Sequence, residues 1–199
     1  MKSIRRFTLV ELLAVIALIS ILSAIGFGVY SYAKNKAQES ATEALLKQIE
    51  AGLEGFNTKA GYYPKSNNDD FSTIKFTFAA DGTLDKIEFG GETLEKQSIS
   101  DGDSQAKKKR MKNERLEAFA KAVDMEVLKN NLDSDGVLVD AWGGKIYYRS
   151  PGKFKTGSYD LVSAGPDGKF GESKSATPSE SLTDYRKDGD KVCDDKFNF

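Results

Sequence analysis

From Leu12 to Ala33 the chain carries 22 consecutive residues without a formal charge, and Glu11 stands at the mouth of that run. A helix of this length reaches about 33 Å, enough to cross a bilayer core. After Ala33 the sequence turns polar without a breaker. Leu45, Ile49, Leu53 and Phe56 then recur at spacings of four and three, while Lys36, Glu43, Lys47, Glu50 and Glu54 fall mostly elsewhere, which marks one apolar helical face. The pattern predicts a single helix from about Thr8 to about Thr58, ended by Gly61 and Pro64. Its first half is apolar all round and its second half is a stripe. The second half is therefore expected to pack on a sheet, and the first to meet lipid or other helices.

Farther along, the stretches from Phe71 to Ala79 and from Leu84 to Phe89 are rich in β-branched and aromatic residues. Ile74, Phe76 and Phe78 alternate, and Asp81-Gly82 supplies a turn, so a β-hairpin is expected. Leu116, Phe119, Val123 and Val127 predict the buried stripe of a helix of about Ser104 to Lys129. Two further strands, from Lys145 to Ser150 and from Ser158 to Ser163, are joined by SPGKFKTGS.

Composition narrows the chemistry. The 199 residues hold no His, one Cys and a formal net charge of -1. Without His there is no imidazole base or metal ligand, and without a nucleophile motif or phosphate loop the chain offers no catalytic site, so an enzyme is not expected. Cys193 cannot form an intrachain disulfide. The run KKKRMK, Lys107 to Lys112, reads as a solvated helix face, and nucleic acid is not an expected partner, because neither the charge balance nor aromatic interleaving supports it. Asn131, Asp133, Asp135 and Gly136 imitate the start of an EF-hand loop, but position twelve is Trp142 instead of Glu, so they read as a turn. The acids Asp167, Asp188, Asp190, Asp194 and Asp195 fall in two loop-like stretches that together could offer oxygens to a hard cation, or could simply form turns.

At the N-terminus, Lys2, Arg5 and Arg6 precede the apolar run, which by the positive-inside rule gives a single pass with the N-terminus in the cytoplasm. A secretory signal has a similar start, but its apolar core is about 7–15 residues, shorter than this run. An acid within such a segment needs a partner. A cut between Arg6 and Phe7 would create one, an α-amino group four residues before Glu11. The stretch R-F-T-L-V-E-L-L with the apolar run after it resembles the class III signal of type IV pilin-like proteins. The resemblance implies a leader over 1–6, cleavage before Phe7 and N-methylation by a prepilin peptidase, and pairing of Glu11 with a neighbouring subunit's terminal amine during filament assembly. The residue before the cut, usually Gly in the family, is Arg6 here, and a common Pro position holds Gly28.

Two more stretches are similar to the major pseudopilins of type II secretion. One is F-N-T-K-A-G-Y-Y-P at the end of the long helix. The other is Asp140, Trp142, Gly143, Tyr148, Ser150, Pro151 and Gly152, followed by Y-D-L and S-x-G-x-D-G. The fold this implies is α+β and pilin-like: a long N-terminal helix, its first half (7–33) transmembrane, its second half (34–60) packed on a small antiparallel β-sheet head (61–199), with an extra helical insertion at about 98–135. The implied function is a structural subunit of a periplasmic filament in a type II secretion-like system. Its partners would be copies of itself, prepilin peptidase, an inner-membrane assembly platform and minor pseudopilins, with the head in the periplasm. A type IV pilus or competence pilin, and a monomeric membrane-anchored binding protein, are the alternatives. The resemblance also implies a structural calcium, with side chains from Asp167 and Asp194, carbonyls from Ala164 and Val192, and Asp195 as a further ligand.

Overall fold

The computed structural model describes residues 8–100, 103–171, 174–178 and 196–198, leaving the side chains of 24–28 outside the description. The chain divides into two units, Met1–Gln38 and Glu39–Phe199. One helix, α1 (Leu9–Ala60), passes through both, within two residues of the predicted limits at each end. In the first unit its apolar side chains are uncovered: Leu9, Val10, Leu12, Ile16, Leu18 and Leu22 each leave half or more of their surface exposed. Among the described residues, no helix is long and apolar enough to cross a membrane.

In the second unit α1 becomes one side of a hydrophobic core. Leu45, Ile49, Leu53 and Phe56 are all buried, as their spacing predicts, and Leu46 joins them. Two antiparallel sheets meet this stripe. One contains β1 (Ser72–Thr73), β5 (Ile146–Arg149), β6 (Asp160–Ser163) and β7 (Lys196–Phe197), in the order β1-β5-β6-β7; the other contains β2 (Lys75–Phe78), β3 (Leu84–Glu88) and β4 (Thr93–Glu95), in that order. Two helices, α2 (Ala106–Ala122) and α3 (Met125–Asn130), complete the unit.

Two expectations are corrected here. The predicted strand from Phe71 to Ala79 is divided at Ile74, its first part pairing with β5 and its second with β3. The uninterrupted run of β-forming residues concealed this, because only tertiary pairing selects the sheet that each part joins. The helix predicted from Ser104 to Lys129 breaks at Val123. There the Asp124 carboxylate accepts hydrogen bonds from the Glu126 and Val127 amides and caps a new helix, while the Asp124 amide donates to the Gln48 side chain of α1. The third strand of the smaller sheet, β4, was not anticipated, since three residues carry no measurable period. The expected turn at Asp81-Gly82 is present, with Gly82 at φ 81° and the Asp81 carboxylate accepting from the Thr83 amide and hydroxyl.

Candidate functional site

At the start of α1, Thr8 and Glu11 form a reciprocal pair. The Thr8 amide and hydroxyl donate to Glu11 Oε2 at 2.8 and 2.9 Å, and the Glu11 amide donates back to Thr8 Oγ1 at 3.2 Å. This is a capping box, which satisfies backbone donors that the first helical turn leaves open. The carboxylate is exposed. Glu11 thus has a structural task independent of any neighbouring subunit. The signature T-x-x-E ahead of an apolar run marks such a box in the sequence itself. Arg6 and Phe7 lie outside the described residues.

The two head motifs meet in space. The Tyr148 hydroxyl donates to the Pro64 carbonyl at 2.7 Å, and Ser66 and Ser150 exchange three hydrogen bonds, two through Ser66 Oγ and one from the Ser66 amide to the Ser150 carbonyl. The loop that ends α1 is therefore fastened to the end of β5. Burial, reinforced by the Glu92 carboxylate, pushes the Tyr148 hydroxyl pKa well above its ordinary value, so the group stays a neutral donor.

Between β5 and β6 the chain wraps a buried acid. Asp160 accepts hydrogen bonds from the amides of Lys153, Phe154 and Lys155, and from the Arg149 guanidinium at 2.6 Å. Arg149 is itself buried, with its guanidinium 4.1 Å from the centre of the Phe71 ring and 4.7 Å from that of Phe154. Gly152 permits the close wrap, since a Cβ there would lie 2.6 Å from the Lys155 carbonyl oxygen and 2.9 Å from Asp160 Oδ1. The S-P-G and Y-D-L strings are thus two halves of one ion-pair loop.

Asp140 plays the corresponding part in D-x-W-G. Its Oδ1 accepts from the Trp142 and Gly144 amides, and its Oδ2 from the Ser163 hydroxyl at 2.5 Å. Ser163 Oγ in turn accepts from the Gly165 amide, and the adjacent Ala141 amide donates to Thr42 of α1. Asp140 consequently joins α1, the end of β6 and the loop Ala164 to Gly168. Neither this orienting role nor that of Thr42 had a sequence signal, because the partners lie 23 and 99 residues away.

That loop carries Ala164 and Asp167, two of the residues expected to ligate calcium. Ala164 is buried at the end of β6, and Asp167 closes a 3-10 turn. Burial raises the Asp167 pKa, but the Lys174 ammonium and the Lys169 amide outweigh it and hold the carboxyl below its ordinary range. Val192, Asp194 and Asp195 lie outside the described residues. Among the described residues, no group of three acids, His or Cys gathers at a site suited to a metal. One carboxylate and loop carbonyls fit a hard cation in kind, yet fall short of the six to eight oxygens that calcium takes. The turn at Asp133 is closed by its own amides, with Oδ1 accepting from Asp135 and Val137.

Comparison with known proteins gives this geometry a family context. The family model of the type II secretion system protein G matches residues 105–178. That span holds the Asp140 and Asp160 loops and Asp167. The chain is similar to protein G of type II secretion. The match also begins inside the stretch 98–135 that was read as an insertion, and takes in α2 and α3. A curated relative, the type II secretion system core protein G of Escherichia coli (strain K12), is 23% identical over 171 residues, covering 84% of this chain and 85% of the relative. No solved structure matches the chain.

Proposed function

We propose that the chain is a pseudopilin, a structural subunit that polymerises through α1 into a periplasmic filament of a type II secretion system. The observation that carries this reading is the change of character along α1. Its head-side stripe is buried, while the stretch from Leu9 to Leu22 leaves large apolar side chains uncovered. Exposed apolar surface on this scale calls for a partner. In storage the partner is the hydrocarbon of the inner membrane, with the uncharged run 12–33 as the span and the head in the periplasm. In the filament it is the same stretch of neighbouring copies. Repeated head to tail with a rotation that does not close, this contact gives an open helical fibre instead of a ring. The function is assembly, and the chain performs no chemical step.

Calcium belongs to the proposal as a structural ligand held by Asp167, Asp194 and Asp195 with the Ala164 and Val192 carbonyls. It would supply a fixed positive charge joining two loops. Support comes from register: β7 pairs Lys196 with Ser163, the residue before Ala164, so the two stretches adjoin at that pair. The side chain of Asn198 strengthens the junction by accepting from the Leu161 amide at 2.7 Å.

The test of this reading is intact-mass spectrometry of the chain recovered from cells that contain a prepilin peptidase. The expected product begins at Phe7 and carries one added methyl group. An intact Met1, or a cut far downstream of Phe7, would contradict the proposal.

A further inference from the structure

The run KKKRMK occupies the start of α2, where the helix dipole is positive and where the first turn contains no acid. Cations in this position oppose the dipole, so local helix stability does not account for them. Lys109 is engaged by Asp103 at 2.6 Å and by the Ser98 carbonyl. Lys107, Lys108, Arg110 and Lys112 are exposed. Five of the chain's 29 cations and none of its 30 acids fall in 107–112, so the remainder holds 24 cations against 30 acids, a net of -6. A chain that is nearly neutral as a whole is therefore divided into a basic patch and an acidic remainder.

An acidic patch stands at the start of β4, whose far end meets α2. Gly91, in the turn before β4, packs so closely on the Ser66 carbonyl that a Cβ would lie 2.1 Å from its oxygen. The loop that follows Ser66 exposes Asp69 and Asp70, and Glu92 lies beside it, bound to the Lys65 amide; Lys65 offsets one of these charges. Beyond β4, Gln97 is bound to Asn113 of α2 by two hydrogen bonds of 2.7 and 2.9 Å. Six residues of extended chain, roughly 20 Å, separate Gly91 from Gln97. The acidic loop and the basic helix start thus flank opposite ends of β4, while Arg115, farther along α2, donates to the Tyr62 hydroxyl that in turn donates to Glu92, leaving Asp69 and Asp70 as the exposed acids of the patch.

We infer that the basic start of α2 docks on the Asp69–Asp70 loop of a second copy of this chain, as a head-to-tail contact between heads. This rests on the filament reading and adds to it a contact outside α1. Opposite charges at the two ends suit a heterologous interface, in which every copy uses both patches and like-charged registers are disfavoured.

The test compares four forms of the full chain in detergent micelles: the natural chain, K108E/R110E, D69K/D70K, and the fourfold combination. Sedimentation velocity at low and high salt is the readout, with helical circular dichroism confirming that each form is folded. Self-association is expected to fall about tenfold in either double variant, to recover in the combination, and to weaken with salt in the natural chain. Association unchanged in the double variants, or a combination no better than either, would overturn the inference. So would binding of the natural chain to phosphatidylglycerol vesicles that is lost in K108E/R110E while self-association persists, since the patch would then serve a lipid surface. Filament yield is scored separately. Charge-dependent association without any filament refutes the pseudopilin reading and leaves the contact standing, whereas filaments indifferent to charge reversal do the opposite.

Discussion

Asp160 illustrates how much one carboxylate can organise. It holds three consecutive amides and a buried guanidinium, so its removal withdraws from the core an acceptor that all four groups share. Breaking such a pair from one side costs about 3–5 kcal/mol. Asp160→Ala is therefore expected to lower the urea midpoint sharply, with a loss of that order in unfolding free energy. A loss below about 1 kcal/mol, the range of an exposed ion pair, would show that the loop does not depend on it. The sequence made this acid visible only as a letter in a familiar string. Its role was not legible, because burial and the convergence of three amides depend on the path of the hairpin connection. Thr8 is the opposite case, for its capping role with Glu11 is local and is written in the T-x-x-E spacing.

At the scale of elements, the long helix and the β5–β6 hairpin were legible because each has a clear period bounded by breakers. The junction of α1 with α2 was not. Gly52 and Gly55 carried no marker beyond a missing side chain, yet α2 approaches α1 at both. A Cβ on Gly52 would lie 2.6 Å from the Phe119 ring, and one on Gly55 would lie 2.7 Å from the Ala118 carbonyl oxygen. Replacing Gly by Ala in a helix ordinarily gains about 1 kcal/mol, whereas overpacking a core costs about 1–3 kcal/mol. The second effect is expected to win at Gly52, where Phe119 is fully buried and has no room to retreat. Gly52→Ala should thus reduce the thermal midpoint of the chain in calorimetry, and a rise in that midpoint would show that α2 can yield.

For the whole molecule, similarity to the type II secretion protein G and the uncovered apolar start of α1 lead to the same account: a head built to be carried by a helix that other copies cover. Calcium, if it binds the native head alone, raises stability in proportion to the logarithm of its concentration, about 2.7 kcal/mol at one hundred times its dissociation constant. Adding a calcium chelator is expected to lower the thermal midpoint of the natural chain and to leave Asp167→Asn unchanged. Equal responses from the two would remove Asp167 from the ligand set. The sequence reading of a cation site named only candidate acids, and the pairing of β7 with β6 beside Ala164 was not legible, because two residues carry no period.

The most direct measurement is filament yield from the Glu11→Gln chain. Glutamine can fill the same place in a capping box, so the substitution keeps the helix start and removes only the charge. Electron microscopy of sheared filaments should show yield reduced by about tenfold or more, with chain abundance and head stability unchanged, because a neighbour's terminal amine then meets no carboxylate. Filaments at the natural yield would contradict the account and leave Glu11 as a helix cap alone.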